Sequence, residues 1–357
     1  MERFQIKKFR ECNIDDPFFD SLKNDYPGFV AWYNGHPERL VYINEGEEGI
    51  DALLILKDGE QDIIDLKDLS LPQIPRIKIC TLKLNENKRN QRLGEGAIGI
   101  ALWHWQKRLE DEIYITVFPK HTTLTMLLER FGFKDMGELE NGEHLYLKSK
   151  LDIDMTNPYT FFPFIDGGCN KFGILPIEDF YHDVLFPYSE LHNSTPYDSE
   201  LAVSNGISKV YIATPVANVS YEENQPVFIY RKFNGPNPGY KSVITSFCTI
   251  TKIHYIKKNN RYLKTKDEYM HIIRNKSVYS QEQLEDIYNS SKNNILIIEL
   301  VYNGYFGKGK NINWKYLKEK NYINDKHFYR TIINKTQFEN LLREGGKDER
   351  NIVIYKS

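Results

Sequence analysis

The run KRNQRLGEGA, residues 88–97, is basic, then glycine-rich, and opens into the apolar stretch IGIALWHWQKRL. The first N–H groups of a helix have no partner inside it, and the helix dipole adds partial positive charge at that end. A glycine-containing turn feeding a helix can therefore cradle an anion, a phosphate above all. The same pattern also makes ordinary turns, so the neighbouring elements have to decide between the two.

Those neighbours read as an α/β unit. Phe18 to Tyr33 is helical in two short pieces, broken at Pro27-Gly28. Two strand-like runs follow, Leu40–Asn44 and Asp51–Lys57, joined by the hairpin-type EGEEG. Gln61 to Pro75 reads as a connecting excursion. Arg76–Leu84 (RIKICTLKL) alternates with both faces partly apolar, which predicts a central strand. After the basic loop, Ala97, Ile98, Ala101, Leu102, Trp105 and Leu109 recur at helical spacing. Glu112–Phe118 is a β-branched and aromatic strand, and Thr123–Arg130 a short helix ended by Gly132. Phe133–Leu139 and Glu143–Lys148 are strands joined by the turn Glu140-Asn141-Gly142. A strand–helix–strand crossover puts the basic loop at a strand's C-terminal end, where α/β sheets bind ligands.

The whole chain bounds what this unit belongs to. Its 357 residues suggest two domains or three, and 41% apolar residues suffice for real cores. The start, MERFQIKKFREC, has no signal-peptide pattern, and no run of ~18 apolar residues predicts a membrane span. Cys12, Cys80, Cys169 and Cys248 are far apart and form no CxxC pair, so the expectation is buried free thiols, a cytoplasmic protein and no metal site. The net charge of −2 hides an asymmetry: residues 251–335 hold 17 Lys+Arg against 8 Asp+Glu, and the remainder is acidic. AT-rich codon usage would also enrich Lys, Asn and Ile, so the basic stretch has a compositional explanation beside the functional one.

The strand ICTLKL, the loop RNQRLGEG, the helix after it, the strand IYITV and the ending LLERFGF together resemble the GNAT acetyltransferases over residues 27–149. The resemblance implies a mixed sheet with flanking helices over residues 1–150, and acetyl-CoA as the ligand. In that family the loop reads Arg/Gln-x-x-Gly-x-Gly/Ala. Its amides bind the pyrophosphate, and the preceding strand, here ending in Leu82 and Leu84, pairs with the pantetheine arm. Two registers fit. Gln91-Arg92-Leu93-Gly94-Glu95-Gly96 matches the letters but lengthens the loop. Arg89-Asn90-Gln91-Arg92-Leu93-Gly94 keeps the spacing and puts Arg92 at the first glycine; it is preferred because helix and strand spacing are harder to change than one loop side chain, and because it sets Glu95 in the first helical turn. Many members carry a tyrosine that protonates the departing thiolate, and Leu128 stands at that position here. His121 and Tyr114, near the end of the following strand, are the candidate catalytic substitutes.

Residues 151–200 are aromatic and Pro/Gly-rich without a clear period and read as a structured connector. Beyond it, strands are expected at Lys209–Ala213, Pro226–Tyr230, Tyr240–Ile256, Asn294–Tyr302 and Tyr329–Ile332. Helices are expected at Gln281–Asn289, Asn313–Lys320 and Lys335–Glu344, the last capped by Asn334 or Thr336. The strand order, FIYRK followed by GYKSVITSFCTITKI, and NKSVYSQEQLEDI before NILIIEL make residues 201–357 resemble a PUA-like domain of the ASCH or EVE kind. That resemblance implies a small β-barrel that binds RNA or a modified nucleobase. Lysine and arginine would neutralise phosphates while aromatic faces stack on bases; Arg231, Lys232, Tyr240, Lys241 and Arg330 are the candidates.

Three functions follow as expectations. The first is an acetyl-CoA-dependent N-acetyltransferase whose amine acceptor is associated with RNA or a nucleoside. The second is a protein that binds acyl-CoA and nucleic acid without catalysis, and the third an acetyltransferase for a small amine or a protein lysine.

Overall fold

The computed structural model describes residues 4–189, 191, 198–216, 218–323 and 328–355, without the side chains of Asp25, Glu86, Arg89, Asn90 and residues 198–201. The chain divides into two compact units, Met1–Ile153 and Asp154–Ser357.

The first unit is built on a seven-stranded mixed sheet. Its strands are β1 (Gln5–Lys8), β2 (Leu40–Gly46), β3 (Gly49–Glu60), β4 (Arg76–Leu84), β5 (Glu112–Val117), β6 (Lys134–Glu138) and β7 (His144–Ser149), in the spatial order β1-β2-β3-β4-β5-β7-β6. The β4–β5 pair is parallel and the other pairs are antiparallel. Helices α1 (Asp20–Asp25) and α2 (Phe29–Gly35) are the two expected short pieces. Phe19, Phe29 and Tyr33 pack with Phe9 against Ile43, Leu53 and Ile55. Helix α3 (Leu93–Gln106) is buried along nearly its whole length and packs on β3 and β4. Its anchor Trp105 is fully buried, which contributes about 2–3 kcal/mol. The helix stops at Gln106, so Leu109, read as part of its apolar stripe, lies beyond it and is 94% exposed. Helix α4 (Thr122–Arg130) follows β5.

The second unit contains β8 (Phe172–Glu178), β9 (Ser208–Ala213), β10 (Pro226–Lys232), β11 (Val243–Lys258), β12 (Ile295–Tyr305) and β13 (Ile332–Ile333), in the order β9-β12-β11-β10-β8-β13; Arg261–Tyr262 and Ile312–Asn313 pair with β11 to complete eight strands. Among the described residues β9 and β13 are open edges, so the expected closed barrel is not found. The stretch expected to be a connector supplies β8, which pairs in parallel with β10, and α5 (Asp179–Leu185). It lacked a period because β8 is buried on both faces. Helices α6 (Asp198–Asn205), α7 (Lys266–Ile273), α8 (Gln281–Ser290), α9 (Trp314–Glu319) and α10 (Lys335–Glu344) are the longer of its other helices, beside single turns at Pro158–Phe161 and Pro238–Lys241. One core joins Phe172, Phe228, Phe247 and Phe306 to Phe338, Leu341 and Leu342 of α10. Another sets Tyr269, Ile273 and Leu284 against Ile256, Ile295 and Ile297. Asn334 and Gln337 exchange side-chain and backbone bonds at 2.9 Å, the cap expected for α10, worth about 1 kcal/mol. Instead of a strand at Tyr329, Phe328–Arg330 is a 3-10 turn leading into β13.

Candidate functional site

The loop read first from the sequence lies between β4 and α3. Glu86–Gln91 forms a 3-10 turn, with Asn85 capping its start. Arg92 then takes φ 55°, a left-handed backbone, and α3 begins at Leu93. Glycine adopts that conformation without strain. The register that puts Arg92 at the family pattern's first glycine thus places an arginine in a glycine's backbone shape. The first helical bond runs from Gly96 N–H to the Arg92 carbonyl at 3.1 Å. The amides of Leu93 and Gly94 therefore belong to the first turn, whose donors have no intrahelical partner. A Cβ added at Gly94 would lie 3.2 Å from Leu84 Cδ1 and 3.5 Å from Leu127 Cδ2. Backbone is thus closely approached there from both β4 and α4.

Glu95 sits in this first turn with its carboxylate almost buried. Arg92 Nη2 donates to its two oxygens at 2.8 and 2.9 Å, and Arg92 Nε donates at 3.2 Å. The carboxylate in the first turn of α3 is therefore paired with the residue at the helix's N-cap. Leu93 and Gly96 are buried, and Gln91 is half-buried. Arg89 lies on the 3-10 turn with its side chain outside the described residues.

The strands below the loop form a wedge. The parallel ladder between β4 and β5 holds Ile77 to Ile113 and Lys78 to Tyr114, and no further pair is formed among the described residues. β4 runs on for six residues to Leu84 and β5 for three to Val117. On its other side β4 stays paired with β3 as far as Leu84. The facing edges of β4 and β5 beyond Lys78 and Tyr114 thus carry backbone groups that an extended ligand can pair with. Leu82 and Leu84 line the open part of this wedge and are half-buried.

Tyr114 marks the wedge's closed end. Its ring is buried against Ile64, Leu66, Leu145 and Leu147, and Lys78 Nζ lies 5.8 Å from the ring centroid. Burial, with nearby carboxylates Glu60 and Asp62, pushes its phenol well above the ordinary tyrosine value. His121 is exposed and precedes α4, where its backbone carbonyl accepts from Leu124 and Thr125. Leu128 is fully buried.

One buried carboxylate was missed in the sequence, although Asp51 interrupts the otherwise apolar run IDALLIL. It falls at a register shift between β2 and β3, is 2% exposed, and its Oδ2 has no partner among the described residues. Burial raises its pKa. The other oxygen receives Asn85 Nδ2 at 3.4 Å.

In the second unit the candidate residues do not form one surface. Arg231 is buried and forks onto Asp183, Nε to Oδ1 at 2.7 Å and Nη2 to Oδ2 at 2.8 Å. Asp183 also meets His182, whose Nε2 faces Thr245 Oγ1 at 2.8 Å. Arg231 is therefore committed to the interior rather than to a phosphate in solvent. Lys232 is exposed and pairs with Glu178 at 2.7 Å. Arg330 is exposed, with Nε 3.5 Å from the Asn218 carbonyl. Tyr240 and Lys241 are exposed neighbours on one short turn. Cys248 is buried, while Cys12, Cys80 and Cys169 are half-buried and free, so full burial of all four thiols is not met. No helix among the described residues is long and apolar enough to cross a membrane.

No family model and no curated protein matches the chain. Solved structures resemble its N-terminal part. Arabidopsis thaliana NAA60 in complex with a bisubstrate analogue is 11% identical, with 41% of this chain and 98% of that chain covered at a TM-score of 0.31. A GNAT-family acetyltransferase from Streptococcus agalactiae 2603 is 14% identical, over 42% and 98%, at 0.30. A GNAT-family acetyltransferase from Elizabethkingia anophelis with acetyl-CoA bound is 12% identical, over 42% and 99%, at 0.30.

Proposed function

We propose that the first unit is an acetyl-CoA-dependent N-acetyltransferase acting on an amine. The observation that carries this reading is the wedge that opens beyond Lys78 and Tyr114 and leads along Leu82 and Leu84 to the N-terminus of α3. An extended pantetheine arm pairs with the strand edge, and its pyrophosphate meets the amides of Leu93 and Gly94. The thioester then lies towards the closed end. There an amine nitrogen attacks the carbonyl carbon, the C–S bond breaks, and the nitrogen gives up a proton. Much of the rate comes from holding the two reactants in line. Tyr114 keeps its proton, because burial disfavours the phenolate, and donates a hydrogen bond to the departing sulfur. His121 takes up the acceptor's proton. The acceptor in this reading is an RNA or nucleoside amine, brought by the basic second unit.

A second reading, acyl-CoA binding without transfer, is favoured by Leu128. A buried leucine occupies the place where the resemblance implies a proton donor.

Calorimetric titration with acetyl-CoA, beside a Gly94→Arg variant, tests the proposal. Binding by the native chain and its loss in Gly94→Arg, in protein whose cooperative melting shows that it still folds, supports the site. An acceptor assay beginning with tRNA then separates transfer from binding alone. Absence of binding by the native chain at micromolar acetyl-CoA sinks both readings.

A further inference from the structure

Three lysine–aromatic pairs stand side by side on the second unit, on two segments that touch. Lys241 Nζ lies 4.9 Å from the Phe233 ring centroid. Lys315 Nζ lies 5.4 Å from the Tyr240 ring centroid and donates to its hydroxyl at 3.1 Å. Lys318 Nζ lies 4.7 Å from the Trp314 ring centroid. The segments are held together from below. Trp314 N–H donates to the Ser242 carbonyl at 2.9 Å, and Ser242 Oγ accepts from Phe233 N–H at 2.9 Å. A Cβ at Gly239 would touch Trp314 at 3.6 Å, so that indole rests on the turn carrying Tyr240.

We propose that the turn 233–242 and helix α9 form a docking strip for a single-stranded polynucleotide. The proposal rests on the RNA-association half of the reading above and not on acyl transfer. The chemistry of the strip points to that partner. Tyr240 is 61% exposed, and Phe233 and Trp314 are half-buried, so each ring is seated in the protein while still reaching solvent. Unpaired bases stack on such faces, and every base offers one. Lys241, Lys315 and Lys318 are exposed with Nζ over the Phe233, Tyr240 and Trp314 rings, so a stacking base takes the place of each ammonium group, which swings out to the adjoining phosphate. Glu319, 3.9 Å from Lys315, offsets only part of that charge. Lysines are point charges without the planar fork that reads base edges, so the strip binds with little sequence preference. Of the residues first expected to contact RNA, it keeps Tyr240 and Lys241. It excludes the buried Arg231, and it adds Trp314, Lys315 and Lys318, whose short helix carried no nucleic-acid signal in the sequence.

The test is fluorescence anisotropy of the full chain with labelled oligo(U) and oligo(dT), each of about 12 nucleotides. Micromolar binding is expected, weakening between about 50 and about 200 mM salt with a log–log slope near −2 for three phosphate contacts. Tyr240→Ala should weaken binding about fivefold or more and leave the slope alone. Lys315→Gln should flatten the slope by about 0.7. Melting curves of both variants confirm that they fold, and both should bind acetyl-CoA like the native chain, which keeps this test separate from the first unit's activity. The proposal is overturned if neither oligonucleotide binds, if binding ignores both substitutions in folded protein, or if poly-glutamate competes as well as oligo(U).

Discussion

Arg92 and Glu95 face each other across the first turn of α3, with Arg92 Nη2 2.8 and 2.9 Å from the two carboxylate oxygens. The pair is nearly buried and stands at the N-terminus of α3, where the proposed acetyl-CoA sets its pyrophosphate. A carboxylate there favours the helix but opposes an incoming anion. Glu95→Gln should therefore tighten acetyl-CoA binding about two- to fivefold while lowering stability. Arg92→Ala should cost about 3 kcal/mol, because it takes the guanidinium away from a nearly buried carboxylate, and should weaken binding. Titration calorimetry and urea unfolding of the two variants read both effects; equal affinities in all three proteins would separate the pair from the ligand.

Tyr114→Phe tests the closed end of the wedge. Losing one hydrogen bond to a charged leaving group costs about 1.5–3 kcal/mol, so kcat should fall about 10- to 100-fold with KM for acetyl-CoA little changed. An unchanged kcat would remove Tyr114 from the reaction and leave it as a packing residue among Leu66, Leu145 and Leu147.

Asp51 makes a pH prediction of its own. Burial raises its pKa in the folded state, so the folded chain binds a proton more tightly than the unfolded chain, whose aspartates titrate near 3.9. The resulting contribution is present at acid pH and is lost as pH rises through the raised folded value. Asp51→Asn should thus stabilise the chain at pH 7 and lose that advantage towards pH 4. Urea midpoints at several pH values measure it, and a pH-independent difference would count against a buried charge.

Asp183 has the opposite sign. Burial alone would raise its pKa, but hydrogen bonds from Arg231 and His182 outweigh burial and lower it. Its stabilisation is then present above the unfolded value near 3.9 and drains away as pH falls through the lowered folded one. Asp183→Asn should remove that acid-limb dependence from the melting of the second unit. Asp183→Ala should cost about 3 kcal/mol by removing both short bonds to the buried Arg231 guanidinium and leaving it with Asp179 at 3.8 Å. Replacing both partners with apolar residues should cost less than either single change, and calorimetric melts of all four proteins would show it.

Much of the architecture was legible because it is local. RIKICTLKL alternates, and β4 spans those nine residues. The α10 helix begins and ends where its cap and apolar spacing say, and the break at Pro27-Gly28 separates α1 from α2. Depth was not legible. FIYRK reads as a strand with a basic end, yet Arg231 is buried because Asp183, 48 residues earlier, meets it. The aromatic stretch before residue 200 looked irregular because a strand covered on both faces has no polar side to give it a period.

The sequence by itself determined the basic loop at a strand's end, the helix that follows it and the order of strands around them, since periodicity and turn chemistry act over a few residues; the helix starts at Leu93, so Gly94 and Gly96 fall in its first turn and not in the loop. The tertiary structure alone decided where the ladder between β4 and β5 stops, which carboxylate Arg231 meets, and which lysine stands against Tyr240. Each of those depends on which distant segments come into contact, and a linear pattern carries no term for that.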